Sequence, residues 1–265
     1  MDVDAIKERS RHIWGLGDYP ALSELLRPAA QALADACAVS AGQEVLDVAA
    51  GDGNFALICA QEGASVVASD LSPGMVERGR ARTEAEGYDV EWTVADAEDL
   101  PFEDNRFDCV GSVFGAMMAP RPRRAAEELF RVVRPGGTVG MTAWTREGYI
   151  AELFALGRSY APPSDQPASD EWSDEESVRE RFEGLAARFE VEVRELVWAV
   201  ESPEWLMRTM GEASPPWVAM RQNLPPERYE EMIARATELT RRWAEGDGPV
   251  ALRGEYAMIV ARKRG

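Results

Sequence analysis

The chain has 265 residues, 45% hydrophobic and 8% aromatic, which suits one large globular domain or one domain with an elaboration. Its net charge of −18 repels phosphate backbones and excludes nucleic acid as the first class of partner. No stretch approaches the roughly 18 apolar residues of a membrane span, and MDVDAIKERS lacks the basic-then-apolar order of a signal peptide; the expectation is a cytoplasmic protein with no membrane insertion.

Residues 1–38 read as helices, with Pro28 dividing two of them. GQEVLDVAA reads as a buried strand, and NFALICAQEG as a helix ended by Gly63. ASVVASD is a second strand. SPGMVERGRARTEAEG is a helix with Ser72 as N-cap and Pro73 at its first position. YDVEWTVAD and RFDCVGSVF follow as strands, then RRAAEELFRVVRPGG as a helix and TVGMTAW as a fifth strand. This alternation, with strands that are almost wholly apolar, predicts a parallel sheet covered by helices on both faces. Beyond Trp144 the rhythm changes. Residues 161–176 form an acidic Pro/Ser stretch expected to be a flexible or lid segment. FEVEVRELVWAV and EYAMIVARK read as late strands, among helical patterns at 147–160, 174–187, 202–212 and 226–245. The expected division, within one structural domain, is 1–40 (helices covering the site), 41–146 (a ligand-binding core) and 147–265 (the rest of the sheet with inserted helices).

The chemistry-bearing residues are few. Cys37, Cys59 and Cys109 are odd in number and far apart, and His12 is the only histidine, so no metal site or downstream-His triad is expected. VLDVAAGDGNFA places an acid in a strand and glycines just after it. Gly51 and Gly53 let the backbone turn tightly toward a ligand, and GDGNFA fits the loose dinucleotide fingerprint. Asp70 ends the second strand, where a carboxylate can accept bonds from both hydroxyls of a ribose. Asp47 discriminates: a carboxylate so near would oppose a pyrophosphate and favour an ammonium or sulfonium. Asp96, after the third strand, can accept a bond from an adenine amino group. The structural alternatives are a tight turn for the glycines, solvated strand ends for Asp70 and Asp96, and a cap on nearby amides for Asp47.

The ordered set VLDVAAGDGNFA, SDLSPGM, ADAEDLPF, FDCVGSVFGAM and LFRVVRPGGTVGM, spanning Gln43 to Trp144, resembles the class I S-adenosylmethionine-dependent methyltransferases, especially the small-molecule group similar to the ubiquinone/menaquinone methyltransferases. The resemblance implies an α/β, Rossmann-like seven-stranded, mostly parallel sheet, with N-terminal and late helical additions forming a cap. It implies S-adenosylmethionine as cofactor. The family pattern D-x-G-x-G-x-G falls on Asp47, Ala49, Gly51 and Gly53, with Ala49 replacing the first Gly. By resemblance Asp47, Ala49 and Gly51 line the methionine part, Asp70 holds the ribose, and Leu71 packs on the adenine. Asp96 and Ala97 read the adenine edge, and Ser112 closes the pocket. WGLGDY resembles a segment that covers the cofactor, which adds Trp14 and Tyr19; both equally suit helix packing.

Methyl transfer from a sulfonium is mainly a matter of orientation, so no metal or triad is needed. His12 is the candidate general base, set against a surface or packing role. The acceptor is expected to be a small, apolar or aromatic-like molecule, methylated on oxygen or carbon. Tyr149, Phe154 and Tyr160, with Trp205, Met207, Met210, Trp217 and Met220, are either its pocket or plain core. The alternatives are transfer to RNA or protein, or a non-catalytic adenosine-ligand protein on the same fold. A homodimer is left open.

Overall fold

A computed structural model describes residues 2–162, 168–246 and 249–265. Seven strands form one sheet: β1 (Glu44–Val48), β2 (Ser65–Asp70), β3 (Val90–Val94), β4 (Phe107–Val113), β5 (Val133–Trp144), β6 (Ala186–Val200) and β7 (Val250–Lys263). They lie in the order β3-β2-β1-β4-β5-β7-β6, and only β7 runs against the rest. Val45 pairs with Val66 on one side and with Cys109 on the other, so β1 is central. Strand order reverses between β1 and β4, and the carboxyl ends of an open α/β sheet leave a crevice at such a point.

Around the sheet lie α1 (Val3–Ile13), α2 (Pro20–Ser23), α3 (Arg27–Cys37), α4 (Asn54–Gln61), α5 (Pro73–Ala85) and α6 (Pro122–Val132). The later helices are α7 (Gly148–Tyr160), α8 (Glu175–Phe182), α9 (Pro203–Ala213), α10 (Pro215–Asn223) and α11 (Pro226–Trp243). Among the described residues no helix is long and apolar enough to cross a membrane. The strand centres fill the core: Val45, Leu46, Val110, Met141 and Ile259 are buried to within 1%. Trp92 packs so closely on Gly79 that a Cβ there would lie 2.0 Å from the indole, and one at Gly53 would lie 2.8 Å from it.

Four local features differ from expectation. The helix expected to run through RVVRPGG stops at Val132, because Arg134 precedes Pro135 and is steered out of the helical region. β5 begins at Val133 instead, with a register shift on its β4 partner between Phe107 and Cys109. Ser72 stands at the N-cap of α5, but its hydroxyl makes no cap bond. PPWVAMRQN, which carries no strong helical signal, forms α10 with proline at its start. Residues 163–167 of the expected lid segment lie outside the described residues. Ser169–Ser173 form a 3₁₀ turn that buries Trp172 against Phe182, which ties this end of the segment to the core.

The late elements support the N-terminal helices. Trp198 on β6 donates its indole N–H to the Leu25 carbonyl at 2.9 Å. Gly17 has φ +72 and packs on the Ala213 carbonyl, which a Cβ would approach to 2.5 Å. The segment ahead of α3 is therefore a cover beside the loop after β1, fastened from behind by α9, α10 and β6, whereas α3 packs on α4, β4 and β5.

Candidate active site

The loop after β1 sets the site. Ala49, Gly51 and Gly53 have φ of +54, +59 and +91, so the backbone coils left-handed three times within five residues. Left-handed geometry is free for glycine and costs alanine about 1–2 kcal/mol. Gly115 leaves the room Ala49 needs: a Cβ at Gly115 would lie 2.7 Å from that of Ala49. Phe114, the second wall residue forced left-handed, has φ +55. Its N–H donates to Thr142 Oγ1 at 3.0 Å, and its ring stacks on Trp144 with centroids 3.9 Å apart.

Asp70 is held by its own neighbourhood. Oδ2 accepts the Gly51 N–H at 2.9 Å and Oδ1 the Ser72 N–H at 2.8 Å. Each oxygen retains a lone pair for a further donor. Burial pushes its carboxyl up to about 6, against the pull of those two amides. Asp47 Oδ2 accepts the Ala56 N–H at 2.9 Å, whereas Oδ1 is buried with no partner. Burial pushes Asp47 up to about 8; the Ala56 bond opposes this and the charges of Asp70 and Asp52 add to it. Asp47 is thus both an amide cap and an unsatisfied acceptor, the state that a nearby cation would relieve.

A closed polar network anchors the cover to the loop. Ser23 Oγ donates to Asp52 Oδ2 at 2.6 Å, and Arg82 Nη1 lies 3.2 Å from the same oxygen. Arg82 Nη1 also donates to Asn54 Oδ1 at 2.9 Å, and Asn54 Nδ2 donates to the Ser23 carbonyl at 2.7 Å. Tyr19 lies beside this network. Its hydroxyl is pushed far above the ordinary tyrosine range by burial, then by Asp52 and Asp70, so it stays a proton-bearing donor.

These groups enclose one cavity. Nine of the sequence-derived residues line it: Asp47, Ala49 and Gly51 from β1 and its loop; Asp70 and Leu71 after β2; Asp96 and Ala97 after β3; Trp14 and Tyr19 from the cover. The rings of Trp14 and Tyr19 meet edge to face, 5.8 Å apart. Three others do not line it. Gly53 instead starts α4 and makes room for Trp92. Ser112 is fully buried, donating to the Val48 carbonyl at 2.6 Å and accepting from the Ala116 N–H at 2.8 Å, so it ties β1 to the turn after β4. His12 is exposed on α1 and away from the cavity, which removes the basis for a general-base role.

The expected acceptor segments are also corrected, for among the described residues none beyond Pro120 lines the cavity. Tyr149 is 1% exposed with its hydroxyl on Thr240 Oγ1 at 3.0 Å, and Met207 and Trp217 are buried. Sequence reading missed the other wall: Lys7, Leu26, Asp52, Phe55, Phe114 and Met118. Asp52 stood within the glycine loop itself and Phe114 at the end of β4, positions that could have drawn attention to both. Asp96 is not free as expected: Oδ2 lies 2.6 Å from Lys7 Nζ, and Oδ1 accepts the Glu98 N–H at 2.9 Å.

The strand-end carboxylates and left-handed loop fit a nucleoside carrying a positive centre, and the orphaned Asp47 oxygen disfavours a pyrophosphate. Comparison with known proteins agrees. A methyltransferase-domain family model matches residues 45–137. An uncharacterised Mycobacterium tuberculosis protein is 34% identical over 264 residues, covering 96% of this chain and 94% of that one. A demethylmenaquinone methyltransferase of Clavibacter sepedonicus is 40% identical over 131 residues, 47% of this chain and 53% of that one. A Bacillus halodurans crystal structure assigned as a methyltransferase superposes with a TM-score of 0.61 at 26% identity, covering 89% of this chain and 99% of that one.

The chain belongs to the class I S-adenosylmethionine-dependent methyltransferases. Within that class its core is similar to the quinone methyltransferases. It is an enzyme of methyl transfer, and S-adenosylmethionine is its cofactor.

Proposed function

We propose that the enzyme methylates a small, largely apolar and uncharged acceptor, on oxygen or carbon. The cavity wall carries the reading. Among the described residues it carries four carboxyl groups, Asp47, Asp52, Asp70 and Asp96, and one cation, Lys7, already shared between Asp96 and Glu98. An anionic acceptor would find no free cation there, and its charge would be opposed at close range. Leu26, Phe55, Phe114 and Met118 supply the apolar side. The partial likeness to demethylmenaquinone methyltransferases is consistent with a ring-containing acceptor. RNA and protein acceptors are disfavoured by the charge of −18.

In this reading Asp70 holds the ribose hydroxyls, Leu71 and Ala97 pack on the adenine, and Asp47 faces the cationic end. The bound cofactor supplies a methyl group already electrophilic on its sulfonium. The chain's part is alignment and exclusion of water: Trp14 and Tyr19 cover the site, and Phe114, braced on Trp144, fixes the opposite wall. Tyr19 keeps its proton and donates rather than acts as base.

Two measurements test this. Calorimetry should show binding of S-adenosylmethionine and S-adenosylhomocysteine and none of NAD. A library of neutral, cationic and anionic acceptors, read by mass spectrometry for products heavier by one methylene, should yield products from neutral apolar members only. Turnover of carboxylate or phosphate acceptors alone would overturn the acceptor class, and capture of total RNA at low salt would favour a nucleic-acid substrate.

A further inference from the structure

The cavity is not the only opening that Lys7 and Asp96 line. A second, more open cleft on the surface is bordered by Asp4, Glu8, Arg11 and Arg121, together with the same Lys7 and Asp96. These two side chains therefore form the partition between solvent and the end of the cavity nearest β3.

The two sides of the partition are not held alike. Lys7 Nζ lies 2.6 Å from Asp96 Oδ2 and 2.5 Å from Glu98 Oε2. Glu98 is buried and also held by Arg121, whose backbone N–H donates to Oε1 at 2.5 Å and whose Nε donates to Oε2, the oxygen Lys7 faces, at 2.7 Å. Asp96 is fixed by the Glu98 amide. The acidic side is thus built into the loop after β3. The basic side rides on α1, which has no buried residue. Beyond Lys7, α1 is secured near its end by Arg78, whose Nη2 donates to the Trp14 carbonyl at 3.0 Å, and by contact with α10. A surface helix without buried residues belongs to the low-stability end of a fold, where local opening is frequent.

The residue type fits a contact that must open. Lys7 and Lys263 are the only lysines in a chain with 29 basic residues. An arginine fork binds carboxylates in rigid bidentate fashion, whereas a lysine ammonium is a point charge on a flexible stem. It can leave two carboxylates and return to them without satisfying a planar geometry.

We propose that Lys7 is the bolt of a cofactor gate. With its ammonium on Asp96 and Glu98, α1 closes the cavity; when the ion pair opens, cofactor and demethylated product pass through the outer cleft. This rests on the reading of the cavity as the S-adenosylmethionine site, and it makes Lys7 a positioning residue that sets residence time rather than chemistry.

The test uses the full chain, with S-adenosylhomocysteine as probe and the intrinsic tryptophan fluorescence, to which Trp14 in the cavity wall contributes, as signal. Lys7→Met keeps the stem and removes the charge. Its dissociation rate should rise about tenfold, which corresponds to about 1.4 kcal/mol. Hydrogen exchange over residues 3–13 should quicken while β1 stays protected and the melting temperature barely moves. Lys7→Arg, with its more rigid fork, should restore the residence time and lengthen it beyond that of the wild type. A Lys7→Met rate within twofold of wild type would overturn the gate, and so would a faster rate accompanied by a matching fall in melting temperature, which marks a merely structural role. Failure of the wild type to bind S-adenosylhomocysteine would strike the cofactor reading instead. The gate would then be decided by exchange alone, and unchanged exchange over 3–13 in Lys7→Met would refute it.

Discussion

At the carboxyl ends of β1, β2 and β3 the chain gathers acids, whereas along β5, β7 and β6 it gathers aromatic rings. Asp47, Asp70 and Asp96 face one cavity. Phe114 stacks on Trp144 and meets Tyr256, and Trp198 packs edge-on to both Trp144 and Tyr149. Asp47 and Asp70 are kept where burial opposes their charge, which is useful only if a ligand later relieves it. The rings satisfy one another and need nothing further. Along β5, β7 and β6 a large aromatic side chain therefore marks structure, whereas the rings of Trp14, Tyr19, Phe55 and Phe114 reach the cavity, and a carboxylate beside a glycine loop marks function.

The sharpest way to break that contrast is Trp198→Ala. Loss of a buried indole costs about 3–5 kcal/mol, and it also leaves the Leu25 carbonyl without its donor. Urea unfolding should show a loss of this size, and a variant as stable as wild type would show that the late half does not support the cover. Next is Asp70→Ala. It removes the acceptor of two backbone amides and, by proposal, of two ribose hydroxyls. Hydrogen bonds to charged groups are worth about 1.5–3 kcal/mol each, so S-adenosylhomocysteine affinity should fall at least tenfold by calorimetry. Unchanged affinity in a folded variant would remove Asp70 from the site.

A third, smaller effect is the pH response of the acids. Folded-state values raised to about 6 for Asp70 and about 8 for Asp47 mean that the folded chain holds these protons more tightly than the unfolded one. Their stabilisation is complete below the ordinary carboxylate range and is lost as pH rises through about 6 and then about 8. The melting temperature of the ligand-free protein should fall from the ordinary carboxylate range up to about 8, with both acids contributing up to about 6 and Asp47 alone above it, and Asp47→Asn should flatten the upper part of the fall. An identical slope in both would assign the response elsewhere. The mildest change is Ala49→Gly. It releases the left-handed strain of a non-glycine residue but adds freedom to the unfolded chain, an entropic cost of about 0.4–1 kcal/mol. A net gain of up to about 1 kcal/mol is expected in thermal unfolding. A clear loss would show that the alanine methyl contributes packing against Gly115.

The alternation of strand and helix from 43 to 144 was legible because several strands are nearly all apolar, as a sheet covered on both sides demands, although the edge strand β3 alternates. The glycine loop was legible because left-handed backbone leaves few residue choices; Ala49 shows that the rule bends where Gly115 makes room. Gly53 and Ser112 were misplaced because motif spacing does not say whether a residue turns toward a ligand or toward its own core. The aromatic and methionine segments were misread for a related reason: helical spacing shows that a face is buried, not what it is buried against. Lys7 gave no local signal at all, since its partners lie 89 and 91 positions away and only the folded cover brings them together.

The bond from the Trp198 indole to the Leu25 carbonyl joins residues 173 positions apart. Such a closure comes late in folding, because the ordering of the intervening chain must be met before the contact stabilises anything. During synthesis the segment that covers the site emerges well before its brace, which comes only with β6. The enzyme is therefore expected to build its sheet before its cover settles. Chains arrested short of residue 198 should remain open to protease within residues 14–26, and chains arrested beyond β6 should be protected there.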